Sequence, residues 1–289
     1  MRTRLALALL VSTLAFADGP TGGGGGGGGA ALPAPGTSGN VLTSNGSAWT
    51  SAAASGGGPT RAATDSHDTI VWTLDEASGT YANSGNGGTL ALTPTTGTSG
   101  YYTQGNTALF ASGFLATNTR LESPATSIGE SNTITVSCWF RAPNTLAAMA
   151  DLVTKKYQEA YSGPTGSIEL LIDNTGLIYG VIADATNTAQ YIVPPVYARV
   201  AIGSINHAGV TYDGTTANVY LNGSLVASAA VTGPIAYNTH RMWTVDGYNF
   251  SGTAGGYLTG WIDDIRVANT ARPASWFLSV WQSGTGLGK

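Results

Sequence analysis

The sequence predicts an all-β chain: a two-sheet antiparallel β-sandwich preceded by a disordered, glycine-rich stalk. Past His67, short runs rich in Val, Ile, Thr and aromatic residues alternate with Gly, Asn, Asp and Ser, the punctuation of strands and tight turns. Within several of those runs apolar side chains recur at every second position, the period of a half-buried strand. Upstream of them, glycine runs unbroken over 22–29, then come Pro33, Pro35 and a Ser/Ala/Gly stretch over 51–58. That composition holds too little apolar area to offset its ordering entropy.

The elements follow in chain order. Arg2 and Arg4 precede an apolar run over 5–14 that closes with Ala15-Phe16-Ala17, the layout of a secretory signal over 1–17 with cleavage after Ala17. The run is short of the roughly 20 apolar residues a membrane span needs, and no later stretch reaches that length. Residues 18–66 read as a flexible Gly/Ser/Ala-rich linker with one island over 35–50. There Val41 to Thr43 suit a short strand, Asn45-Gly46 a tight turn, and Trp49 a cover for the returning strand. Over 67–289 the clearest strands are 133–141, 167–173, 177–183, 207–212, 217–222, 225–229 and 260–268. In the first, Ile134, Val136, Cys138 and Phe140 share one face and Thr135, Ser137, Trp139 and Arg141 the other, so Cys138 reads as a small buried hydrophobe. Ala217, Val219 and Leu221 point inward, Asn222-Gly223 supplies the left-handed positions of a hairpin turn, and Leu225 and Ala227 return to the core. Trp276, Phe277, Val280 and Trp281 have the spacing of a short helix closing that core.

Composition excludes several functions. A net charge of -4 with 10% charged residues rules out a basic nucleic-acid binder. A single cysteine rules out an internal disulfide and a cysteine-rich zinc site. No Gly-x-Ser-x-Gly elbow, His-Glu-x-x-His helix or phosphate-binding glycine loop is present. His207 opens a strand and reads as a structural, hydrogen-bonded histidine.

Blocks along the chain carry a resemblance. They are Trp72-Thr73-Leu74-Asp75-Glu76-Ala77-Ser78-Gly79, Asn83-Ser84-Gly85-Asn86-Gly87, Ile134 to Phe140, His207-Ala208-Gly209-Val210-Thr211-Tyr212-Asp213-Gly214, Tyr220-Leu221-Asn222-Gly223, and Gly260-Trp261-Ile262-Asp263-Asp264-Ile265-Arg266-Val267. In this order they resemble the laminin-G-like, concanavalin-A-like jelly roll of the third laminin-G-like type. The resemblance implies two β-sheets with the first and last strands side by side. The island at 35–50 is similar to a motif near the stalks of phage tail fibres, which implies a homotrimeric stalk or a virion appendage. Hydrolytic relatives resemble one another in a Glu-x-Asp-x-x-Glu strand that this chain lacks. Glu169 and Asp173, roughly 13 Å apart at about 3.3 Å per residue, do not replace it, since a retaining pair needs about 5–5.5 Å.

Two sets of site residues emerge. Period 2 puts Asp263 on the apolar face of its strand with Trp261, Ile265 and Val267, where a carboxylate needs a partner or a metal. Calcium takes six to eight oxygens, and the resemblance implies a structural calcium near the first-strand loop and the last-strand aspartate. The candidate ligands are Asp75, Asn83 and Asp263, with Glu76 and Asp264 assisting. The alternative has Asp263 accepting backbone N–H bonds and Asp264 paired with Arg266. For a ligand, the candidates are Trp243, Tyr248, Tyr237, Asn249 and Asp246 in one loop-rich stretch, with Trp139 and Tyr220 on polar strand faces; the alternative is that these rings pack loops onto the sandwich. The expected function is an exported, non-enzymatic, lectin-like module that binds a glycan or surface polymer. A structural or receptor-binding appendage on a virion or cell surface stays open beside it, and a glycan hydrolase is the reading the missing strand argues against.

Overall fold

The computed structural model describes residues 40–44, 49–53, 62–74, 76, 80–95, 101–103, 112–114, 120–143, 146, 148–156, 166–184, 186, 188–195, 198–237, 241–250, 253–258 and 260–284. The expected signal at 1–17 and most of the expected stalk lie outside them. The chain divides into two units, 1–56 and 57–289. In the first, β1 (Asn40–Ser44) pairs antiparallel with β2 (Trp49–Ala53), Ser44 opposite Trp49.

The second unit is the two-sheet antiparallel sandwich. Its six-stranded sheet has the order β15 (Ser224–Ala230), β14 (Thr216–Leu221), β13 (Ile205–Tyr212), β8 (Ile134–Arg141), β19 (Trp261–Ala268), β3 (Asp68–Trp72). The seven-stranded sheet runs β12 (Ala189–Ile192), β11 (Ile178–Ala183), β10 (Gly166–Ile172), β9 (Ala150–Lys156), β16 (Trp243–Val245), β7 (Arg120–Glu122), β4 (Thr93–Thr95). Two short pairs, β5 (Tyr101–Thr103) with β6 (Ser112–Phe114) and β17 (Tyr248–Phe250) with β18 (Thr253–Gly255), stand apart. The first and last strands of the unit, β3 and β19, are neighbours.

Hairpins are closed by one repeated device. In Asp173-Asn174-Thr175, Asp184-Ala185-Thr186 and Asp213-Gly214-Thr215 the Asp carboxylate accepts both the backbone N–H and the hydroxyl of the Thr two residues on. Such local bonds let the short polar side chain replace a backbone turn partner. They hold the Asp184 carboxyl below the usual range, at about 2, and Asp213 is held down first by the Thr216 N–H and then by the same bonds. The Asn222-Gly223 turn uses left-handed backbone, φ 50° and 80°, and Asn222 Oδ1 accepts the His207 N–H at 2.9 Å.

Between the sheets lies one core, with Ile134, Val136, Cys138 and Phe140 of β8 facing Ile168, Leu170 and Ile172 of β10. Burial pushes the Cys138 thiol far up in pKa, so it stays a neutral apolar filler. Two strands depart from strict alternation. A register shift between Val219 and Tyr220 in the β14–β15 ladder turns Leu225 outward, where it is 52% exposed rather than in the core. In β19 a second shift falls between Asp263 and Arg266, with Asp264 in left-handed backbone at φ 44°. Ile262 and Ile265 therefore enter the core, and Asp263 lies opposite Trp139 on the outer side. The assignment of Asp263 to the apolar face is corrected by this bulge, which breaks the period.

The middle of the outer side of the six-stranded sheet is covered by a helix. Helix α1 (Ala274–Gly284) buries Phe277, Val280 and Gly284, with Phe277 stacked on Tyr220 at 4.0 Å and Trp281 on Trp139 at 5.7 Å. Gly209 of β13 leaves room for the Phe277 ring, and Gly284 lies over Trp139 where any Cβ would collide. His207 packs against Trp139 and Phe277, and burial, helped by the Arg266 charge, pushes its pKa down to about 3. Beside this aromatic layer Arg266 pairs with Asp68 (3.3 Å) and Asp264 (3.1 Å), and Arg272 with Asp65 (2.6 Å) and Asp68 (3.0 Å). Arg266 also donates to the carbonyls of Ala62 and Ala63, so the network ties the start of the unit to its last strand.

Candidate functional site

The opposite outer surface, on the seven-stranded sheet, has a different character. One row of cross-strand partners crosses all seven strands: Thr93, Glu122, Thr244, Thr154, Glu169, Val181 and Tyr191. Alternation sends their chain neighbours Leu121, Val153, Leu170 and Ile192 into the core and leaves the row outside. All of its members except Val181 carry a hydroxyl or a carboxylate. Its middle is buried, whereas Tyr191 at its β12 end is 62% exposed, the most exposed large apolar side chain among the described residues. On the neighbouring strand Tyr179 lies opposite Leu171, its hydroxyl donating to Asp173 Oδ2.

Around Glu169 of the row two further carboxylates gather. Asp151 and Glu169 come from the paired strands β9 and β10, and Asp246 follows β16. Asp246 adopts left-handed backbone at φ 59°, its Oδ1 accepts the Leu258 N–H at 2.6 Å, and the Gly247 N–H donates to Asp151 O at 3.0 Å. Burial, then the charges of Glu169 and Asp246, holds the Asp151 carboxyl well above its usual range. Burial also pushes Asp246 up to about 7, against the pull of the Leu258 bond. Both shifts favour the protonated form more than in an isolated aspartate. Sequence reasoning missed Asp151, because the register shift in the β9–β10 ladder hides the period of β9.

The aromatic residues singled out in the sequence do not form one patch. Trp243 is a core residue, 0% exposed, its Nε1–H donating to Ile128 O at 2.9 Å with the Lys155 ammonium 5.5 Å above the ring. Tyr237 packs against the core, its hydroxyl donating to Ser131 O at 2.7 Å. Trp139 and Tyr220 lie beneath α1 on the other sheet. Trp139, Tyr220 and Trp243 are buried by this packing, whereas Tyr237 is only partly buried. Asp246 is buried as described; Tyr248 and Asn249 fall on β17, and their side chains lie outside the described residues.

Several oxygens of the expected calcium donors bond within the protein. Asn83 Oδ1 accepts the N–H groups of Val71 and Gly85, both at 2.8 Å, while its Nδ2 donates to the carbonyls of Thr69 and Gly88. Glu76 Oε1 accepts the Ala82 N–H at 2.8 Å. Asp263 Oδ1 accepts the Asp264 N–H and Asp264 pairs with Arg266, the alternative reading of that strand. Asp75 lies outside the described residues. Among the described residues no group of three or more His, Cys, Asp or Glu side chains is placed to hold a metal ion. No described helix is long and apolar enough to cross a membrane.

Comparison with known proteins supplies the family. The concanavalin A-like lectin/glucanases superfamily matches residues 115–276, more than half of the chain. No curated protein matches. Similar solved structures include the botulinum neurotoxin serotype G binding domain, at 14% identity and TM-score 0.54, covering 74% of this chain and 50% of that one. The binding domain of botulinum neurotoxin DC in complex with SialylT is 12% identical, with TM-score 0.53 and coverage of 75% and 51%. The receptor binding domain of botulinum neurotoxin D is 11% identical, with TM-score 0.54 and coverage of 75% and 52%. This chain spans about half the length of those structures, and at such identity the likeness is one of fold.

Two outcomes follow from the site geometry. Asn83→Ala removes the clasp on β3, so it should cost about 1–3 kcal/mol of stability, equally in calcium and in chelator, by denaturant titration. Asp246 has a folded pKa of about 7 against 3.8 for the ordinary group, so the folded state binds the extra proton. Its contribution is complete below about pH 4 and is lost as pH rises through about 7. Relative to Asp246→Asn, the wild type should lose up to roughly 4 kcal/mol of stability over that window. The difference between the two proteins is the quantity to measure, because His207, depressed in the fold, acts with the opposite sign.

Proposed function

The chain belongs to the concanavalin A-like lectin/glucanases superfamily, and on that scaffold we propose a non-enzymatic recognition module that binds glycans or another hydroxyl-rich surface polymer. The observation that carries the reading is Tyr191, an aromatic ring left 62% exposed at the end of a hydroxyl- and carboxylate-bearing row. A tyrosine at such a place offers an apolar face to the C–H side of a sugar ring and a polar tip to its hydroxyls. Tyr179, Asp173 and the threonines of the adjoining turns supply further donors and acceptors on the same side of β11. The complex of a similarly folded neurotoxin binding domain with SialylT supports the class of ligand. The reading includes secretion through the 1–17 signal and display at a cell or virion surface on the 18–66 stalk.

A glycan and bacterial-polysaccharide array probed with the full chain tests it. The wild type should retain a defined subset of glycans, and Tyr191→Ala should weaken retention at least about tenfold, a loss of roughly 1.4 kcal/mol, with unchanged thermal stability. Retention of nothing, or undiminished retention by the variant, contradicts the proposal.

A further inference from the structure

Tyr191 by itself does not tell one glycan from another, because an aromatic ring stacks on the C–H face of many sugars. The chain beyond β12 brings a second group to the same edge. It leaves β11 after Ile192, which lies opposite Gly180, and passes through Pro194-Pro195. On its return Arg199 forms an isolated bridge with Leu177, the residue before β11, and the Val200 N–H donates to Gly176 O at 2.8 Å.

Alternation fixes the side on which Arg199 stands. Ile178, Ile182 and Val200 enter the core, so Leu177, Val181 and Arg199 face outward. Partners across an antiparallel pair share a face, which puts Arg199, opposite Leu177, on the same side as Tyr191, opposite Val181. Val181 and Leu177 are four residues apart along one strand, so the two side chains are set roughly 13 Å apart at about 3.3 Å per residue.

The guanidinium is held in place and left uncompensated. Its Nη1–H donates to the Thr175 carbonyl, in the turn whose Asp173 accepts the Tyr179 hydroxyl. Burial and the Asp173 bond hold the Tyr179 hydroxyl up at about 12, against the pull of the Arg199 charge. Asp173 is occupied within the turn, since Oδ1 takes the Thr175 N–H, the Thr175 hydroxyl and the Leu177 N–H, and Oδ2 takes Tyr179. Of the described arginine and lysine side chains only Arg141 and Arg199 are exposed. Arg141 lies over the Trp261 ring at 4.9 Å on the other sheet, so Arg199 is the exposed cation described on this surface.

Resting on the reading of Tyr191 as a sugar platform, we infer that Arg199 determines the specificity of that surface. It selects an acidic glycan whose anionic group stands roughly 13 Å from the sugar stacked on Tyr191, a span that takes an oligosaccharide. A guanidinium with one N–H engaged keeps a planar set of donors for a carboxylate or a sulfate. The chain's net charge of -4 disfavours an acidic polymer elsewhere, so the attraction is confined to this edge and sets how the polymer lies on it.

Matched oligosaccharides on an array, probed with the full chain, test the inference: oligogalacturonates against their methyl esters, and sulfated against unsulfated dextran oligosaccharides. The wild type should retain one acidic set at least about tenfold better than its neutral counterpart, as hydrogen bonds to charged groups allow. Which set is retained tells a carboxylate from a sulfate, and added salt should shrink the preference. Arg199→Gln should bring acidic and neutral retention to parity, Arg199→Lys should restore part of the preference, and Tyr191→Ala should weaken both members of a pair. Arg199 is exposed, and thermal unfolding checks that each variant remains folded. A wild type without the preference, or a folded Arg199→Gln that keeps it, overturns the inference and leaves the reading of Tyr191 standing; retention of nothing overturns both.

Discussion

The alternation of side chains along each strand is the constraint on which the molecule depends. Two sheets that share one core give each strand an inner and an outer set of residues, and the inner sets are satisfied together by apolar packing. What distinguishes this protein is the unequal treatment of the two outer sets. On the six-stranded sheet the outer residues, Trp139, His207 and Tyr220 among them, are roofed by α1 and become a second, aromatic layer. On the seven-stranded sheet the outer residues are hydroxyls and carboxylates that no described helix covers.

Both outer surfaces hold titratable groups away from their ordinary behaviour, for different reasons. Asp65 is kept charged, at about 2, by the Arg272 guanidinium within an ion network that joins the beginning and end of the unit. His207 is kept neutral by burial among rings and by the nearby Arg266 charge. Burial raises Asp151 and Asp246, and the neighbouring carboxylates raise Asp151 further, on the side that carries the row ending in Tyr191. Charge is stabilised where the beginning and end of the unit are fastened, and suppressed beside the row on the seven-stranded sheet.

Much of the fold is legible in the sequence, because long strands display their period directly. β8 and β14 show their inner sets in the order of their residues, and the Asn222-Gly223 turn declares itself by chemistry. Strands of three residues, such as β4, β7 and β16, are too short to express any period. Bulges conceal others: one residue of slippage in β9, β15 and β19 reverses the faces, hiding Asp151 and misplacing Leu225 and Asp263. The site is less legible than the fold. Trp139, Tyr220 and Trp243 have the composition of a sugar platform, but whether a ring is covered depends on contacts between residues far apart in sequence, such as Trp243 with Ile128 or Tyr220 with Phe277. The motif at 83–87 shows the same limit, since its polar atoms satisfy the backbone of β3.

Family membership fixes the sandwich but not the surface in use, since one scaffold carries many functions. The proposed recognition surface is the outer side of the seven-stranded sheet, at the end where Tyr191 stands. Hydrogen–deuterium exchange of the full chain, with and without a bound oligosaccharide, tests that assignment most directly. Slowed exchange should concentrate in β11, β12 and their connecting turns. Slowed exchange confined to α1 and the six-stranded sheet would contradict the assignment.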